Sequence, residues 1–146
     1  MKLWLYHLCR LLLAGVFIYA GFLKGLDPVA FAGQVAAYKI LPYAFNYFVA
    51  ATLPFVEVLC GILLLLNQRV RPALLVLFGL NGVFMLALSS LLARGLEIDC
   101  GCFHPGGEAG AGTSPLMALV RDAGLMLVIL TTWVLRQRQA QESPDE

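Results

Sequence analysis

The sequence predicts an all-α, polytopic membrane protein: a four-transmembrane-helix bundle with an interfacial helix between spans one and two. Three observations point there. The 146 residues are 60% hydrophobic and 13% charged, whereas a soluble domain carries about a quarter charged residues. The mean hydropathy of +0.82 is an apolar excess, and a chain this short cannot hide it in one core. Four continuous apolar runs, 3–22, 47–66, 73–93 and 117–135, each approach the ~20 residues that cross a bilayer. These features exclude a disordered chain and an ordinary cytosolic enzyme. The net charge of +1 implies no polyanion partner, so nucleic acid is excluded as well.

The first run, behind Lys2, is longer than the apolar core of a signal peptide. It also lacks a small-x-small cleavage site before Lys24, so it reads as a span. The runs are continuously apolar and do not alternate, which excludes an outer-membrane barrel. Backbone in lipid must satisfy its own hydrogen bonds, so the runs must be helices. Residues 23–46 carry few charges and aromatics near Pro42, and read as a partly amphipathic interfacial helix with a Pro-broken turn. Residues 94–115 form the most polar and most Gly-rich connection. Residues 1–136 thus make one membrane domain, and 137–146 a polar tail expected to fray.

Four spans put both termini on the side of the loop joining spans two and three. That side holds Lys2, Arg10, Arg69, Arg71, Arg136 and Arg138, against Lys24, Lys39, Arg94 and Arg121 on the other. The positive-inside rule then makes the termini cytoplasmic and residues 94–115 extracytoplasmic.

Chemistry concentrates in Asp99-Cys100-Gly101-Cys102-Phe103-His104. Two thiols one residue apart, with a permissive Gly between them, can close a strained and readily exchanged disulfide. The predicted side is one where disulfides persist. Three readings stand: a redox pair at Cys100 and Cys102, a static disulfide, or a metal site of Cys100, Cys102 and His104 for a soft or borderline ion. Cys9 and Cys60 each fall roughly 9 Å into their spans by helical rise. Either they form a second thiol pair or they are small buried residues without a role.

Ionisable groups inside spans are functional candidates. Glu57 sits mid-span with Arg10 at nearly its depth, so Arg10 is the expected partner. Glu57 has two readings, a structural ion pair or a proton-handling group, and Cys60 lies one turn away on its face. Arg121 and Asp122 lie near the cysteine-bearing side. Arg121 either stabilises a thiolate or snorkels to the headgroups, with Asp122 paired to it or to Lys24. His7 is expected at the interface on the Arg10 face. Asn81 is expected to hydrogen-bond between helices, and Gly21 and Gly25 give a weak packing signal.

Taken in order, Arg10, Ala20-Gly21, Lys24, Asp27-Pro28, Tyr38, Leu41-Pro42, Leu53-Pro54, Glu57, Asp99-Cys100-Gly101-Cys102-Phe103 and Arg121-Asp122 resemble the MauE family of methylamine-utilisation membrane proteins. That family is related to the wider DoxX-like four-helix group. The resemblance spans nearly the whole chain, and its specific part is the Cys-Gly-Cys-Phe segment with the late Arg-Asp pair. It implies an inner-membrane bundle serving periplasmic thiol–disulfide chemistry, with a thioredoxin-like partner or a disulfide-containing client such as the small subunit of methylamine dehydrogenase. One departure is His104, where the family usually has Gly. Disulfide exchange would need an electron route; a quinone among the spans is the candidate cofactor, and Cys9 with Cys60 the only candidate second pair. A non-enzymatic docking or assembly subunit is the alternative.

Overall fold

A computed structural model describes residues 1–95 and 115–142. These residues form α1 (Lys2–Leu26), α2 (Pro28–Ala37), α3 (Tyr43–Leu65), α4 (Val70–Ala93) and α5 (Pro115–Glu142). All but α2 are long and apolar enough to cross a membrane. They run alternately up and down the bundle, with α1 packed mainly on α3 and α4 mainly on α5. Contacts of α1 with α5 and of α3 with α4 close the ring, and α2 lies against α3. The chain is a multi-pass membrane protein, with four candidate spans among the described residues.

Local chemistry sets the joints. Asp27 ends α1 and caps α2, its Oδ1 accepting from the Ala30 N–H at 3.0 Å, with Pro28 at the first helical position. At the end of α3, Asn67 takes the left-handed conformation (φ 57°). Gln68 N–H then donates to the Leu63 carbonyl at 3.0 Å and Asn67 N–H to that of Leu64 at 3.2 Å, the crossed pair of a Schellman turn. Tyr6 Oη donates to Asn67 Oδ1 at 2.9 Å and holds that turn to α1. Thr52, Ser89, Thr131 and Thr132 turn their hydroxyls back onto carbonyls four residues earlier. This leaves their polar groups satisfied on apolar helices.

Two glycines let α1 and α3 approach closely. A Cβ on Gly21 would stand 2.9 Å from the Pro54 carbonyl oxygen and 2.7 Å from Val58 Cγ2; one on Gly61 would stand 2.6 Å from Ile18 Cγ1 and 3.1 Å from the Ala14 carbonyl oxygen. A Cβ on Gly25 would meet only Pro54 Cβ, at 3.9 Å, so Gly21 is the working half of that motif. The main core, including Leu13, Ala14, Phe17, Cys60, Leu64, Leu74, Leu77 and Ile129, occupies the half of the bundle nearer Arg10.

Two boundaries differ from the sequence reading. Helix α1 continues past residue 22 to Leu26, carrying Lys24 inside the bundle. Helix α5 continues to Glu142 through a tail expected to fray. The Gln, Arg and Ala residues there favour helix even where nothing apolar is buried.

Candidate functional site

Lys24 lies in the last turn of α1. Helical side chains lean toward the N-terminus of their helix, so Lys24 reaches back into the bundle. Its Nζ donates to both carboxylate oxygens of Glu57, at 2.8 and 2.9 Å, and both residues are buried. The Phe31 and Phe84 rings flank the ammonium, with centroids 5.5 and 5.7 Å from Nζ, which suits a desolvated cation.

The second pair comes from neighbours on α5. Arg121 Nε and Nη2 donate to Asp122 Oδ1 at 3.0 and 2.8 Å. Asp122 is only 2% exposed, and its Oδ2 meets no donor among the described residues. Asn81 on α4 donates from Nδ2 to the Asp122 backbone carbonyl at 2.9 Å, the interhelical bond expected of it. Lys24, Glu57, Asn81, Arg121 and Asp122 all line one cavity of about 220 Å3, completed by apolar and aromatic residues that include Phe31, Tyr38 and Phe84. A charged cluster in an apolar, water-poor setting can bind a polar head group or hold a proton in a fixed place.

The pairing of Arg10 with Glu57 is corrected. Glu57 is taken by Lys24, and Arg10 instead donates from Nη1 to the carbonyl of Leu64 and, at 2.9 Å, to that of Leu65. The last carbonyls of α3 have no partners within the helix, and a cation suits that end of the dipole. The depth count treated the start of span one and the end of span two as level, whereas α3 ends beside Arg10 and leaves Glu57 deeper in the bundle. His7 lies beside Arg10, its Nδ1 3.4 Å from Arg10 Nη2. Asp122 pairs with Arg121 and makes no hydrogen bond to Lys24.

Cys9 and Cys60 are both free thiols, the first half-buried and the second buried in the main core. Gly61 abuts Ala14 and Ile18, while Arg10 reaches Leu64 and Leu65. That register places Cys60 deeper in the bundle than Cys9, and no second disulfide joins them. Cys100, Cys102 and His104 lie outside the described residues. Sequence reasoning passed over the packing role of Gly61 and the capping role of Arg10. The small residue in an apolar run was the available signal for the first, and the helix end, whose last carbonyls lack partners inside the helix, for the second.

The family profile described as Methylamine utilisation protein MauE matches residues 2–135. The chain is 35% identical over 98 residues to the Methylamine utilization protein MauE of Paracoccus denitrificans, covering 66% of this chain and 53% of that relative. The match thus spans about half of the relative's length. No solved structure matches the chain. With four apolar spans, an extended family match and a named relative in agreement, the chain belongs to the MauE family of methylamine-utilisation membrane proteins.

Proposed function

We propose that this protein is an inner-membrane component of methylamine utilisation that exchanges disulfides with a periplasmic thioredoxin-like protein or a disulfide-containing client. The termini are cytoplasmic and the Cys-Gly-Cys segment periplasmic. In the exchange, a partner thiolate attacks the Cys100–Cys102 disulfide and forms a mixed disulfide, releasing one cysteine as thiolate. The partner's second thiol then resolves it, leaving the partner oxidised and Cys100 and Cys102 reduced by two electrons. Arg121 favours the thiolate that is released. Glu57, with both oxygens on Lys24, serves as a fixed structural carboxylate. The observation that carries this reading is the Asp99-Cys100-Gly101-Cys102-Phe103 segment in a chain of this family. The charged cavity at the end of α1, where α4 also ends and α5 begins, gives it support.

The test is mixed-disulfide trapping. In Cys100→Ser or Cys102→Ser, tried separately, the one remaining thiol can attack an oxidised partner's disulfide in the reverse direction but has no neighbouring thiol to release it. Each variant should therefore accumulate a covalent adduct with a thioredoxin-like protein or a client. The adduct is read on a non-reducing gel and identified by mass spectrometry. If neither variant forms an adduct and client disulfides form at the normal rate in both, disulfide exchange is not the function.

A further inference from the structure

We infer that the cavity binds the head of a membrane-dissolved hydroxyaromatic amphipath, the chemistry of a quinol, with a ring hydroxyl donating to Asp122. The inference starts from an unmet acceptor. Asp122 lines the cavity, and the two bonds it accepts from Arg121 both fall on Oδ1. Its buried Oδ2 faces no donor among the described residues. A buried carboxylate oxygen without a donor is costly, and native structures seldom keep one without a reason. A short turn about the soft terminal torsion presents that oxygen to the cavity.

The rest of the wall selects the body of the ligand. At about 220 Å3 the cavity suits one substituted ring, being smaller than the ~300–1,000 Å3 typical of drug-sized ligands. Phe31, Tyr38 and Phe84 supply aromatic walls for it. Lys24 spends two of its three N–H donors on Glu57. The third can therefore serve a second ring oxygen. Ile40, Leu41 and Val83 line the same cavity yet are 50%, 41% and 68% exposed on the outside of the bundle. In a membrane protein this makes a mouth open to lipid, through which a ring enters while its apolar tail stays outside. A plain acyl chain would leave Asp122 unsatisfied. The inference is independent of the thiol step, because every residue it uses lies in the helices or in the α2–α3 connection.

The test uses the full chain in lipid nanodiscs, with decylubiquinol kept reduced under argon and its dimethyl ether as probes. Saturable binding of the quinol near one per chain is expected, with the ether at least about tenfold weaker for want of the charge-assisted hydrogen bond. Asp122→Asn should weaken the quinol about tenfold and leave the ether unchanged. Val83→Trp, at the exposed mouth, should abolish binding of both without touching the core. Cys100→Ser and Cys102→Ser should bind the quinol normally, which separates failure of this site from failure of the disulfide reading. Equal affinity for quinol and ether, indifference to Val83→Trp, or no binding beyond that of protein-free discs would overturn the inference. If Asp122→Asn fails to fold, the ether and Val83→Trp decide the matter.

Discussion

At the end of the bundle nearer Arg10, Leu13, Ala14, Phe17, Leu64, Leu74 and Leu77 close into a dense apolar core. The single buried cation there is committed to the end of α3. Nearer Lys24, the same four helices with α2 enclose a cavity walled by two ion pairs, an asparagine and four aromatic rings. Dispersion rewards filling such a space, and lipid penalises charge. An arrangement that declines the first and accepts the second needs a compensating purpose, and the binding role inferred for the Lys24 end would supply one.

The comparison can be broken most strongly at Glu57. Glu57→Leu strands the buried Lys24 ammonium and should cost about 3–5 kcal/mol, whereas Lys24→Met with Glu57→Leu should recover most of that loss. Thermal melts of the purified protein measure both, and an unstable double variant would show that the pair is worth more than its mutual neutralisation. At the other end, Arg10→Met leaves the Leu65 carbonyl without its donor and should cost about 1.5–3 kcal/mol. Because Arg10 lies away from the cavity, this variant should leave quinol binding unchanged once folded. The smallest effects belong to the seam that joins the halves. Gly21→Ala meets a backbone oxygen and should cost about 1–3 kcal/mol by overpacking. Gly61→Ala should cost less, since its nearest obstacle is the movable Ile18 side chain. Reversal of that order would mean that α1 and α3 do not meet in this register.

Much of this architecture is legible in the residues. Continuous apolar runs announce the four spans, and residues 23–46 announce an interfacial helix between the first two. Glu57, Lys24, Arg121 and Asp122 stand out as charges in apolar surroundings. The Arg121–Asp122 pair is among the sequence expectations, but the partner of Glu57 is not legible. The apolar run stops at residue 22, yet α1 continues through Lys24, whose ammonium meets Glu57. Depth counted as if the neighbouring ends of α1 and α3 were flush makes Arg10 and Glu57 look level, whereas Arg10 sits at the end of α3. The cavity is hidden from sequence for a different reason: a space arises from how four helices fail to fill it, and no single run of residues encodes that. Gly61 shows the same limit, since only its opposition to Ala14 and Ile18 distinguishes it from any other glycine in an apolar helix.

Thiol trapping in intact cells bears most directly on the proposed exchange. A membrane-impermeant maleimide is applied before and after mild reduction, to protein in which Cys9→Ser and Cys60→Ser leave only Cys100 and Cys102. Labelling that appears only after reduction, and that returns to the protected state when oxidant is restored, is the predicted result. Labelling without reduction, labelling released by a chelator alone, or protection that persists until the membrane is opened would contradict a periplasmic disulfide at Cys100 and Cys102.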